Sequence, residues 1–376
     1  MTVPTLSSTT SIGTVTLRAL DERDIAGVLE QCVDPLSIEW TQVPVPFGLA
    51  DAREFVEVIA PNAWADGSQW IFAVEHDTGD GPRYAGNIAL RDEGHGLAEI
   101  AYGSHPEARG TGAIEAGLRL LLEWGFGTQG LQTVIWRANK GNWASRKVAW
   151  RLGFRIDGVL RHSHVFRGEL VDGWVGTLVA DEPREPRHRW LDVPELRGDG
   201  VCLRAVSDDD TSRIVEACGD PRTQQWLGLM PSPYTADDAW AWRQACTEKR
   251  ATGTGTTWAI TADSPDAPAP LLGAISLFDL NDDDVEIGYW AHPEARGRGV
   301  MTAAVRVVTT WAFEELGVGR VRIVCAVDNA ASRHVAEAAG FTETGGERRA
   351  TRVRDGRADV VLYDVLDSEW AAGSQA

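Results

Sequence analysis

The chain of 376 residues contains no apolar run approaching the roughly 20 residues that cross a bilayer, and no pair of cysteines at CxxC spacing. Its five cysteines, Cys32, Cys202, Cys218, Cys246 and Cys325, are an odd number. That excludes a disulfide framework and a zinc knuckle, and leaves buried, reduced thiols as the expected state. The two nearest histidines, His162 and His164, have no third ligand in view, so no metal site is expected. Positive charge is scarce, with 36 Lys+Arg against 55 Asp+Glu and a net charge of −19. Such a chain repels the phosphate backbone and anionic lipid, so neither nucleic acid nor membrane is an expected partner. It suits cationic partners such as amines, although solubility is the commoner use of acidity. Residues 1–13 lack the basic segment and apolar core of a signal peptide, and the cytoplasm is the expected address. What is present is globular composition, 43% hydrophobic and 24% charged, at a length that asks for two domains.

Those two domains are copies. Leu17-Arg18-Ala19 returns as Leu203-Arg204-Ala205, and Trp40 returns as Trp226, both 186 positions on. The segment Glu-Ile-x-Tyr-x-x-His-Pro-Glu-Ala-Arg-Gly-x-Gly begins at Glu99 and again at Glu286, 187 positions on. Asn142-x-x-Ser145 returns as Asn329-x-x-Ser332, and Gly153-Phe154 as Gly340-Phe341. Ordered matches at a nearly constant offset mean a duplicated domain, since the period is far too long for a solenoid unit. The expected boundaries are 1–180 and 201–376, joined by a linker at 181–200 that is rich in proline and charge.

The pattern within each copy is that of a mixed α/β sheet. Strands are expected at 14–20, 70–75, 85–90, 98–103 and 133–138, with counterparts at 201–206, 257–261, 272–278, 285–290 and 321–327. The segments 77–83 and 262–270 read as hairpin loops. Apolar helices are expected at 114–126 and 301–313, and shorter ones at 144–152 and 331–339 that end at Gly153 and Gly340.

Chemistry concentrates where a strand runs into a helix through Arg109-Gly110-Thr111-Gly112-Ala113-Ile114, and again through Arg296-Gly297-Arg298-Gly299-Val300-Met301. Glycines at such a turn let backbone N–H groups converge on one point, and the helix dipole adds to them, so a pyrophosphate is the expected ligand. Neither loop carries the Lys of a Walker A motif or the third Gly of the dinucleotide fingerprint. Glu99 and Glu286 open the strand leading into each loop and are the candidate general bases. The small Ala101, Gly103 and Gly288 on the same face are expected to leave space beside them. Asn142 and Asn329 are placed to cap the helices that follow them. Trp40 and Trp226 precede loops expected on the acceptor side, where an aromatic wall suits an amine.

Taken together, the [Arg/Gln]-x-x-Gly-x-[Gly/Ala] loop after a Glu-Ile-x-Tyr strand, with Asn-x-x-Ser before a helix ending in Gly-Phe, resembles the GNAT N-acetyltransferases of the RimJ/RimL type. The resemblance covers most of both halves. It implies two tandem domains, each a mixed sheet with a V-shaped splay. It also implies acetyl-CoA as co-substrate, its pyrophosphate on the loop amides of Arg109–Ile114 and Arg296–Met301, and its pantetheine arm near Asn142 and Asn329. The acceptor is then a primary amine, a protein N-terminus or a small molecule, acetylated directly in a ternary complex. Ser145 and Ser332 match the position of the family's acid near the CoA sulfur. Ile114 and Met301 depart from the small residue of the pattern and are expected to crowd the pyrophosphate. Two alternatives stand beside this reading: a tandem acyl-CoA-binding protein whose N-terminal domain does no chemistry, and a tandem acetyltransferase of the mycothiol-synthase kind. The sequence does not fix the oligomeric state.

Overall fold

A computed structural model describes residues 3–264, 269–281 and 283–373. Residues 265–268 of the loop expected at 262–270 lie outside the described residues. The chain divides into two compact units, Met1–Arg187 and His188–Ala376.

The first unit begins with strands β1 (Leu6–Thr10) and β2 (Gly13–Arg18) and four helices, α1 (Ile25–Val33), α2 (Pro35–Trp40), α3 (Leu49–Glu54) and α4 (Ala60–Asp66). There follow β3 (Gln69–Asp77), β4 (Arg83–Gly94), β5 (Leu97–Ser104), α5 (Ala113–Gly127) and β6 (Thr133–Asn139). The unit closes with α6 (Trp143–Arg151), β7 (Arg155–Phe166) and β8 (Glu169–Val179). The second unit repeats the order with β9 (Leu196–Gly198), β10 (Val201–Arg204), α7 (Thr211–Gly219), α8 (Pro221–Trp226) and α9 (Ala236–Thr252). Then come β11 (Thr256–Ala262), β12 (Gly273–Phe278), β13 (Asp284–Ala291), α10 (Val300–Trp311) and β14 (Arg320–Ala326). It ends with α11 (Ala330–Ala339), β15 (Thr342–Val353), β16 (Gly356–Leu366) and α12 (Asp367–Gly373). Each unit has one eight-stranded sheet, in the orders β1-β2-β3-β4-β5-β6-β8-β7 and β9-β10-β11-β12-β13-β14-β16-β15.

Alternation and helical spacing explain the layers. In β5, Ala98 and Ile100 are buried in the core while Glu99 points to the other face. Leu118, Leu121 and Leu122 recur at three- and four-residue spacing on α5 and are fully buried against that core. The second core repeats the pattern with Val285, Ile287, Ala304, Val305 and Val308. At the first helix of each unit a buried carboxylate ties strand to helix. Arg18 grips Asp24 through two hydrogen bonds of 2.7 and 2.8 Å, and Arg204 grips Asp210 through two of 2.8 Å. Such two-point bonds hold direction as well as charge.

The feature that positions the site is an incomplete ladder. The parallel strands β5 and β6 pair only from Leu97 and Thr133 to Ile100 and Trp136. Strands β13 and β14 pair only from Asp284 and Arg320 to Ile287 and Ile323. Beyond those positions both strands continue unpaired with each other, which opens the expected V between residues 101–104 and 137–139, and between 288–291 and 324–326.

Two findings differ from the sequence reading. The segment 181–200 is not a free linker along its length. Arg187 donates to the carbonyl of Gly153 at 3.1 Å in the first unit. In the second, Leu191 is buried and exchanges hydrogen bonds with Arg250, and 196–198 form the edge strand β9. Proline and charge mark turns here, but a few apolar residues are enough to dock the segment. The acidic segments 21–24 and 207–210 are expected helix starts and lead into α1 and α7, whereas α2 to α4, α8 and α9 escape the sequence reading, being short or weakly patterned, although Thr235 and Asp238 form a capping box that announces α9.

Candidate active site

Each V opens at the carboxyl end of β5 or β13, and the glycine loop follows at once. Gly110 and Gly112 have φ of +78° and +85°, Gly297 and Gly299 of +70° and +74°. Backbone of this hand strains any residue with a Cβ, so the loop demands glycine. A Cβ added at Gly297 or Gly299 would meet nothing within 4 Å, which leaves an open cradle in front of the helix. Gly299 caps α10 with no side-chain hydrogen bond, so the first N–H groups of the helix have no such partner. In the first unit Thr111 supplies one, its hydroxyl accepting from Ala113 N–H at 3.3 Å. Both loops therefore offer what an anionic pyrophosphate requires.

The motif arginines do something else. Arg296 donates to Asp220 at 2.5 Å and to Thr223 at 2.9 Å, and Asp220 caps α8. Arg109 repeats this on Asp34, which caps α2, and on Ser37. The guanidinium holds each of these aspartates below the usual carboxylate range, with the capping N–H bonds adding to the effect. The arginines thus latch the loop to a helix, and what faces the cradle is backbone. Arg298 is exposed, with one long bond of 3.4 Å to the Glu294 carbonyl. Ile114 and Met301, the large residues of the loop pattern, have their side chains buried in the cores.

The strand glutamates differ between units. Arg137 donates to Glu99 at 2.5 Å. Glu286 has no contact that close, since Arg322 stands 3.7 Å away and is itself 3.0 Å from Asp284. Burial raises the Glu286 pKa above the ordinary carboxylate value, against the pull of Arg322. Glu286 lines a cavity of about 370 Å³ with Arg320, Arg322, Val324, Leu362 and Asp364. The space expected beside the glutamates is filled: a Cβ at Gly288 would lie 2.6 Å from the Phe278 ring, and one at Gly103 would lie 2.3 Å from Gln31 Nε2. These glycines admit neighbours.

On the opposite face, Asn142 and Asn329 cap α6 and α11 by accepting from Ser145 and Ser332 N–H at 3.1 and 3.2 Å. The serine hydroxyls lie 2.8 Å from Tyr102 and 2.9 Å from Tyr289. These tyrosines were missed. They stand in the quoted Glu-Ile-x-Tyr motif, and alternation points them at the serine, away from the glutamate. Burial pushes the Tyr102 hydroxyl up to about 12 and raises that of Tyr289 as well. In the first unit Trp136 Nε1 adds hydrogen bonds of 3.1 Å to both hydroxyls; the second unit has Ile323 at that register. Trp40 ends α2 and packs on Gly141, with its ring 3.4 Å from where a Cβ would stand. Trp226 ends α8, half-buried.

A family model described as acetyltransferase (GNAT) domain matches residues 14–155 and again 201–342. The chain belongs to this family, as a tandem duplication of the domain, and is an N-acetyltransferase. A protein of Bacillus subtilis (strain 168) that carries the name of a ribosomal N-acetyltransferase, YdaF, is 33% identical over 179 residues, 45% of this chain and 93% of that protein. The ribosomal-protein-serine acetyltransferase of Escherichia coli (strain K12) is 31% identical over 102 residues, 26% of this chain and 57% of that protein. Among solved structures, RimJ of Mycobacterium smegmatis in complex with CoA-disulfide shares 21% identity, with a TM-score of 0.43 over 48% of this chain and 90% of that one.

Proposed function

We propose that the chain transfers an acetyl group from acetyl-CoA directly to a primary amine, a protein N-terminus or a small cationic molecule, and that its second unit does so with Glu286 as base. The observation that carries this reading is the second V, with an uncapped helix N-terminus at its mouth and a half-buried glutamate lining a cavity on the other face. The residues fit the co-substrate: the amides of Gly297 to Met301 would hold its pyrophosphate, and the side-chain NH₂ of Asn329 is left for the pantetheine arm. When bound, acetyl-CoA supplies an activated acyl carbon and a good leaving group.

Glu286 takes a proton from the acceptor ammonium. An alkylamine of pKa about 10 is charged at neutral pH and must lose that proton to attack. A carboxylate held above its usual pKa by burial is better matched to the task than a surface one. Tyr289 and Ser332 stabilise charge on the departing sulfur by hydrogen bonding. They do not protonate it, because a thiol of pKa ~8.5 is the stronger acid. In the cavity Arg320 and Arg322 sit closest to Asp284, at 3.0 Å each, and farther from Asp364 and Glu286, at 3.9 and 3.7 Å, so these two carboxylates are the more weakly held and face a cationic acceptor. Trp226 is the aromatic candidate on that side.

The first unit offers the same cradle without a free carboxylate, since Arg137 sits on Glu99. That contact favours a second reading, in which this unit only binds acyl-CoA.

The test is a calorimetric titration of acetyl-CoA, with thiol release and intact product mass over a panel of amines. The wild-type chain is expected to bind two equivalents and Gly299→Trp one. Two equivalents persisting in Gly299→Trp would remove the second loop from the reading.

A further inference from the structure

The first unit keeps an imidazole where the second has none. His164 on β7 lies across the ladder from Val171, and Thr351 on β15 lies across from Ala358, so His164 and Thr351 are counterparts at the 187-residue offset. Thr351 lines the cavity that contains Glu286. His164 is therefore placed on the corresponding acceptor-side surface, the one that carries Glu99.

Its setting is specific. The ring lies on Gly173, where a Cβ would stand 2.2 Å from Cε1 and 2.3 Å from Nε2. The counterpart of Gly173 is Val360, so the niche exists in the first unit alone. His164 Nδ1 is 3.3 Å from Asn139 Oδ1. An amide oxygen only accepts, so Nδ1 carries the hydrogen and Nε2 holds the lone pair. Nε2 is buried and has no hydrogen-bond partner among the described residues. Asn139 lies three residues past Trp136, the last position of β6 paired with β5, so it stands within the V. The charged groups around the ring are Arg137 of β6 and Glu99 of β5, with Asp172 of β8 held by the His162 N–H. Burial and then Arg137 lower the His164 pKa, Glu99 opposing, which favours the neutral ring.

On the acetyl-CoA reading above, we infer that the first unit is a second catalytic centre whose general base is His164 Nε2, oriented by Asn139 and admitted by Gly173. The imidazole takes one proton from the acceptor ammonium. The freed nitrogen forms the C–N bond to the acyl carbon, the C–S bond breaks with its electron pair on sulfur, and the second amine proton passes to that sulfur. His164 then returns its proton to solvent, so one proton is released for each acetyl group transferred. Arg137, which disables Glu99 as a base, has a use here, since its charge keeps the imidazole able to accept.

The experiment uses the full-length chain with the second loop blocked by Gly299→Trp, assayed by thiol release over the amine panel from about pH 5 to 9. Turnover is expected to fall on an acid limb below the ordinary histidine value of ~6.5, and NMR titration of the His164 ring in the ligand-free protein is expected to show the same midpoint. His164→Gln is expected to lower kcat by about 100-fold or more and abolish that limb, with acetyl-CoA affinity unchanged. Gly173→Ala, which displaces the ring without altering its chemistry, is expected to lower kcat in the same way. Turnover and limb surviving in His164→Gln would overturn the assignment. So would a Gly299→Trp chain that binds one acetyl-CoA and releases no thiol with any amine, a result that leaves the first unit a binding module and the acetyl-CoA reading intact. No binding at all by that chain would defeat the reading of the first loop as well.

Discussion

Glu286→Gln, made in a chain whose first loop is blocked by Gly112→Trp, is expected to lose roughly 100- to 10,000-fold in kcat, the range over which general base catalysis contributes. Acetyl-CoA affinity should be unchanged, because Glu286 lies on the sheet face opposite the Tyr289 and Ser332 hydroxyls. In the unsubstituted second unit, turnover should fall on an acid limb above the ordinary carboxylate range, since burial raises the pKa of Glu286. The same shift predicts an opposite effect on stability. A carboxyl group whose pKa is raised by folding binds its proton more tightly in the folded state. Its contribution is favourable at low pH and is lost as pH rises through the folded value. At neutral pH the buried charge is thus a cost, and Glu286→Gln should raise the melting temperature while it abolishes turnover. A variant that keeps more than about a tenth of wild-type kcat would exclude Glu286 as the base.

Trp258→Ala is expected to destabilise the second unit by roughly 3–5 kcal/mol, the usual cost of truncating a fully buried aromatic. Trp258 is wholly buried, and its ring meets Trp311 edge to face with centroids 5.1 Å apart. Its indole N–H donates to the Pro194 carbonyl at 2.9 Å, so the truncation also frees the docked segment around β9. The change should appear in urea unfolding as a lower midpoint with little change in slope. A cost below about 1 kcal/mol would mean that the site collapses and that Pro194 is held by other contacts.

The glycine loop was legible because its φ values admit few residues, and the duplication repeated it in the same context. Glu286 was legible from its place on a strand that runs into that loop, but its difference from Glu99 was not. That difference comes from Arg137, which reaches Glu99 from the neighbouring strand where the second unit has Val324, and no local pattern announces such a contact. Tyr289 stood in plain view within the motif. It went unassigned because only the fold shows the hydroxyl of Ser332 within 2.9 Å of it. The partners of Arg109 and Arg296 are hidden for a related reason: the capping aspartate that each guanidinium holds lies 75 or 76 residues away in sequence. His164 was read as a histidine without a metal, and the niche at Gly173 that gives it a purpose is a contact between strands.

The aspartate that holds each motif arginine also changes how a common experiment is interpreted. Removing Arg296 breaks the bonds that tie the loop to α8. It unties Asp220, whose carboxylate then serves only the first turn of α8, a helix that ends at Trp226. A weakened acetyl-CoA affinity in such a variant would report a loosened loop, and a changed preference among amines would report the same lesion from the other end of that helix. One substitution would thus perturb donor and acceptor together, and kinetic data on the arginine alone would mistake a hinge pin for a handhold.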